Sequence, residues 1–222
     1  TALARRDQER PARDAFVGML PPKLAQIMIN LTGLTSAETT PAARVLDPFC
    51  GTGVVLQEAA LLGFATYGTD LADKMVDYSR RNMEWLTEKY NVTTAYDIEQ
   101  GDAMKATWKA PINAVVCESY LGQPFSAPPR PEKLAEVRDN CDHIISDFLK
   151  NIGKQIDPGT PLCIAVPAWR DATGAITHLP LIKKLEQLGY RQHEFKNVRT
   201  PELLYYREDQ VVARELLVIE KI

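Results

Sequence analysis

Residues 44–53 read Arg-Val-Leu-Asp-Pro-Phe-Cys-Gly-Thr-Gly. An apolar run ends in an acid, a tight loop with two glycines follows, and residues 54–62 have the pattern of a helix stopped by Gly63. A strand, a Gly loop and a helix in that order place a small polar ligand at a helix N-terminus, where free backbone N–H groups converge. Gly51 and Gly53 let the backbone approach a ligand closely, because no Cβ intervenes. The three-glycine dinucleotide fingerprint is missing, and so is the Gly-Lys-Ser/Thr of a phosphate loop. Asp47 would repel a pyrophosphate and suits a ligand that carries an amine. The plainer alternative is a strand-to-helix turn that needs glycine for geometry alone.

The order Asp47, Pro48, Phe49, Cys50, Gly51, Thr52, Gly53 resembles the cofactor loop of amino-methyltransferases. It is most similar to the tRNA guanosine N2-methyltransferases that usually carry a THUMP RNA-binding domain. The resemblance runs over nearly the whole chain, from about Arg10 to Lys221. It implies an α/β fold, the Rossmann-like class I methyltransferase architecture: a seven-stranded, mostly parallel sheet, helices on both faces and a C-terminal antiparallel hairpin. It also implies S-adenosylmethionine as cofactor and S-adenosylhomocysteine as product.

The 222 residues suffice for one α/β domain with a sizeable core. Residues 1–33 are expected to form an arm and a helix over the cofactor site, and residues 34–222 the methyltransferase core. No apolar run approaches membrane-spanning length, and no signal-peptide pattern opens these residues. The net charge of -3 is not the footprint of a free-standing nucleic-acid binder. RNA affinity is therefore expected mainly from a partner or from a domain preceding Thr1. Four dispersed cysteines form no Cys-x-x-Cys, and three of them sit in or beside apolar runs and read as reduced, buried thiols, which favours a cytoplasmic protein.

Residues 5–14 mix four arginines with acids and read as a solvated arm, with RNA contact as the alternative. Leu24, Ile27, Met28 and Leu31 share one helical face. In the resembled family the segment equivalent to residues 16–21 folds over the methionine end of the cofactor, which places Phe16 near it; a hydrophobic lead-in to the helix is the alternative. A second strand over 65–69 ends at Asp70, followed by Leu71. An acid about 20 residues past the Gly loop can hold both ribose hydroxyls, because one carboxylate accepts two hydrogen bonds. Asp70 or Asp73 could equally cap the next helix. A third strand over 94–98 leads to Asp102 and Ala103, and the resemblance implies that Asp102 accepts from the adenine amine. Turn geometry alone also favours Gly101-Asp102.

After a fourth strand over 113–117 comes Glu118-Ser119-Tyr120-Leu121. The family normally has an Asp, Asn or Ser, two prolines and an aromatic here. The side chain and the next carbonyl accept the target amine's hydrogens, and the aromatic stacks on the flipped base. Glu118, the Ser119 carbonyl and Tyr120 are the corresponding catalytic candidates, with Glu118 also beside the cofactor. An acid in a sharp turn is the plain reading of Glu118. Both prolines are gone. The same site chemistry serves adenine and cytosine, which leaves a DNA amino-methyltransferase as an alternative, and Glu118-Ser119 in place of the usual pair leaves a cofactor-binding domain without catalysis as another. Arg130 in the following Pro-rich loop could meet a phosphate or simply lie at the surface. Cys141-Asp142-His143 lacks a second pair at ligand spacing, so no metal is expected. A fifth strand is expected over 161–166, a helix capped by Thr177 through Leu188, His178 at the surface, and strands over 190–195, 203–207 and 211–219.

Overall fold

The structure is a computed structural model and describes residues 2–14, 20–35, 42–198 and 202–222. Five parallel strands form its centre: β1 (Arg44–Asp47), β2 (Ala65–Asp70), β3 (Tyr96–Gln100), β4 (Ala114–Glu118) and β5 (Pro161–Arg170). Then β9 (Val212–Lys221) runs antiparallel to β5, and β7 (Tyr190–Gln192) antiparallel to β9. The order is β3-β2-β1-β4-β5-β9-β7. That spine has the expected seven strands. Two short strands lie off it, β6 (Ile176–Thr177) on β5 and β8 (Leu204–Tyr205) on β9. The strand order reverses between β1 and β4, so their C-terminal ends open a crevice at the centre of the sheet.

Side-chain alternation along β1 divides the core. Val45 faces a cluster with α2 (Pro22–Leu31) and α3 (Val54–Leu61), and Leu46 faces one with α5 (Pro131–Ile152). On the first face, α3 also packs with α4 (Asp73–Tyr90) through Leu56, Ala60, Val76, Met83 and Leu86. Gly68 on β2 makes this closeness feasible, since a Cβ there would lie 2.5 Å from Leu56 Cδ1.

Several expectations are corrected. Residues 5–14 are not a solvated arm. Ala2–Glu9 is a helix, α1, and the buried Arg6 pairs through two nitrogens with the buried Glu58 of α3, at 2.7 and 2.8 Å. Gln26 of α2 donates to the same carboxylate. Periodicity sees apolar faces and misses a stripe held by a buried ion pair. In α2 the buried residues are Pro22, Leu24, Ala25, Met28 and Ile29, while Ile27 is exposed. The third strand runs two residues late. β5 continues to Arg170 because β9 pairs with it as far as Trp169↔Val212. Residues 180–188 form two 3₁₀ turns in place of a helix, and Thr177 lies in β6. His178 is half-exposed but paired with the buried Glu215 at 2.7 Å.

Candidate active site

The crevice beyond the ends of β1, β2, β3 and β4 holds a cavity of about 530 Å³. Each strand ends on, or next to, a residue with a polar group in its wall. Asp47, Asp70, Asp102 and Glu118 all line it, and among the described residues no lysine or arginine does.

The Gly loop is its floor. Pro48, Phe49, Cys50, Gly51 and Thr52 line the cavity. Asp47 is buried and its Oδ1 accepts the Phe49 N–H at 3.1 Å. Burial pushes the Asp47 carboxyl well up, and the Asp70 and Glu118 charges add to this against the Phe49 bond. A buried acid held this way gains most from a cationic partner. Gly51 adopts a left-handed conformation, φ 52°, and its N–H is taken by Asp70 Oδ2. The other Asp70 oxygen accepts the Ala72 N–H at 2.9 Å, so the carboxylate is fixed from both sides. A carboxylate has about four acceptor positions, so capacity for two hydroxyls remains. Asp70 therefore both shapes the local turn and faces the cavity. Asp73 is the first residue of α4, and Ala72 stands at its N-cap without a side-chain bond.

Gly53 is not part of the cavity wall. At φ 78° it begins α3, and a Cβ there would lie 3.0 Å from Ser79 Oγ. Its glycine serves the turn and the approach of α4. Phe16 lies outside the described residues. Leu71 and Ala103 line the cavity, Leu71 with its side chain largely exposed at the rim. Asp102 Oδ1 accepts the Met104 N–H at 3.0 Å, which turns the chain beneath the pocket.

The amine-site candidates come together at the end of β4. Glu118, Ser119 and Tyr120 all line the cavity, Glu118 side chain mostly buried and Tyr120 exposed at the mouth. Arg214 of β9, buried itself, binds Glu118 Oε1 through Nε. Burial pushes the Glu118 carboxyl up, and the Arg214 guanidinium pulls against it. Ser119 is pinned by two bonds to the Ala165 carbonyl, from N at 3.0 Å and from Oγ at 2.9 Å. The ion pair and these two hydrogen bonds hold Glu118 and Ser119 in place without the two prolines. Arg214 escaped the sequence reading. Its signal was two adjacent charges, Arg214-Glu215, just before the apolar run Leu216 to Ile219. Leu20, from the segment 16–21 expected near the cofactor, lines the cavity, as do Met75 and Ile144, which carry no motif.

Arg130 stands at the N-cap of α5. Cys141 is buried in the core, and among the described residues no group of His, Cys, Asp or Glu could hold a metal. None of the described helices is long and apolar enough to cross a membrane.

A sequence model of UPF0020, the RMKL-like methyltransferase domain, matches residues 10–193. The chain belongs to this family. It is 28% identical over 189 residues to a tRNA (guanine(10)-N2)-dimethyltransferase of Methanothermobacter thermautotrophicus, covering 84% of this chain and 50% of that protein. The chain thus spans about half the length of that relative. Among solved structures, TrmN from Thermus thermophilus superposes with a TM-score of 0.62 at 19% identity, over 98% of this chain and 53% of that one. Magnesium protoporphyrin IX methyltransferase from Synechocystis, solved with bound SAM, gives 0.57 at 17% identity, over 100% of this chain and 92% of that one. At these identities the two structures speak for the fold, the class I methyltransferase fold.

Proposed function

We propose that this chain is the catalytic domain of an S-adenosylmethionine-dependent RNA methyltransferase that acts on the exocyclic amine of a guanosine in tRNA. The observation that carries the reading is the cavity with four carboxylates at the strand ends and no lysine or arginine in its wall. The cofactor matches that donor set. Asp47 would hold its ammonium, Asp70 its ribose hydroxyls and Asp102 its adenine amine, with residues 48–52, Leu71 and Ala103 as the apolar and backbone lining. It supplies a methyl group on a sulfonium, already a strong electrophile. No general base is needed at first, because the amine can lose its proton after transfer.

Glu118 and the Ser119 carbonyl would accept the amine's hydrogens, and Tyr120 would stack on the base. The carboxylate favours guanine. Ionised, it only accepts, and guanine presents an amine N–H beside a ring N–H. Adenine and cytosine place an acceptor nitrogen beside their amine, facing the carboxylate with like polarity. The names of the curated relatives point the same way. With an acidic net charge, RNA affinity would come largely from a domain or partner beyond these residues. A reducing, cytoplasmic setting suits four buried free cysteines.

The test is transfer from labelled cofactor to undermodified tRNA, followed by nucleoside digestion. N2-methylated guanosine supports the proposal. Label on adenosine or cytidine would overturn the choice of base.

A further inference from the structure

The ladder between β4 and β5 runs one step beyond the last paired residues. Glu118 pairs with Ala165, and the Ser119 N–H then bonds the Ala165 carbonyl at 3.0 Å. In a parallel ladder a residue that donates to position j−1 accepts from position j+1 of the neighbouring strand. For Ser119 the donor would be the N–H of residue 167. Residue 167 is Pro167, which has no N–H. Pro167 is buried within β5, between the last β4–β5 pair at Ala165 and the first β5–β6 pair at Trp169, and is paired with Arg214 of β9 on its other side. The Ala165 carbonyl faces β4, and backbone polar groups two residues apart point to the same side, so the missing donor falls on the side of β4.

We propose that Pro167 is a positioning residue: by withholding a ladder N–H it keeps the Ser119 carbonyl free to accept a hydrogen of the target amine. The inference rests on the amine-methyltransferase reading above. It explains how a carbonyl next to a central strand escapes the pairing that claims other ladder carbonyls. Pro167 itself touches no reacting atom in this scheme. The other acceptor is set by its neighbour across the β5–β9 pair, Arg214, which holds Glu118. Facing residues on two strands thus prepare the two acceptors, one by removing a donor and one by supplying one.

The test is Pro167→Ala in the full chain, with Pro167→Gly as a second variant that restores the N–H without a side chain. Thermal melting, cofactor affinity, the kcat and KM for undermodified tRNA, and hydrogen exchange at residue 167 are measured together. The expected result is an unchanged or raised melting temperature, an exchange-protected amide at 167, unchanged cofactor affinity, and a kcat lowered about tenfold or more with KM little changed. A merely structural proline would give the opposite pattern, lower stability with kcat unchanged. An unaltered kcat, whether or not the new amide is protected, overturns the inference while leaving the methyltransferase reading intact. An unmodified chain that binds the cofactor and yet methylates no RNA overturns that reading and the inference with it.

Discussion

Asp70 Oδ2 accepts the Gly51 N–H at 2.9 Å, tying the end of β2 to the glycine loop that follows β1. One carboxylate thereby fixes the loop and presents its remaining acceptor positions to the cavity. Asp70→Ala removes the loop's anchor together with the proposed ribose contacts. Cofactor affinity should fall about 10- to 100-fold, the value of one or two hydrogen bonds to a charged group. Calorimetry checks this, and full affinity in the variant would refute the ribose role.

Asp47 makes affinity and stability depend on pH in opposite ways. Its carboxyl is raised in the free fold by burial, so it retains its proton at pH values where the unfolded chain has released its own. That contribution is fully present below about pH 4, near the ordinary value, and is lost as pH rises through the raised value. An ammonium beside Asp47 favours the ionised form, so binding should release a proton and strengthen with rising pH. Calorimetry in buffers of different ionisation enthalpy would detect the proton; none released contradicts the assignment. Asp47→Asn should raise the melting temperature of the ligand-free chain, by about 2–4 °C per kcal/mol recovered, while nearly abolishing cofactor binding.

Glu118 and Arg214 should couple strongly. Removing one partner of a buried pair strands the other charge, so Arg214→Gln is expected to cost about 3–5 kcal/mol in denaturant unfolding. Adding Glu118→Gln to that variant should recover most of the loss, because no charge is then left unpaired. Additive losses in the cycle would show that the pair is not coupled.

Helix α1 hangs on the Arg6–Glu58 pair, whose two side chains are nearly inaccessible. Arg6→Ala should destabilise the chain by about 3 kcal/mol or more. It should also speed proteolysis near residues 2–14. A melting temperature within 1 °C, about the scatter of a neutral surface change, would mean the helix is not anchored there.

What was legible in the sequence was carried by local chemistry. The run Asp47 to Gly53 shows strand, loop and helix because each residue's role is set by its immediate neighbours. Asp70 ends its strand and Asp102 follows the next one closely, and alternating helices fix the parallel sheet. What stayed hidden depends on contacts distant in sequence. Arg6 looks solvated until Glu58, 52 positions away, is brought beside it. Arg214 acquires meaning only when β9 pairs with β5, and Glu118, 96 positions earlier, comes within reach. The fifth strand was expected to stop at Val166, before Pro167; pairing with β9 carries it on to Arg170. Gly53 was grouped with the cofactor loop by the motif alone. Its place in the motif suggested a ligand contact, and its environment shows a turn beside Ser79.

The measurement that tests the central claim most directly is transfer of radiolabelled methyl from S-adenosylmethionine by the full chain, with undermodified tRNA, DNA and protein offered in parallel. The account predicts label in tRNA, recovered as N2-methylated guanosine, and none in the other two. Label confined to DNA or protein, or none anywhere from a chain that binds the cofactor, would contradict it.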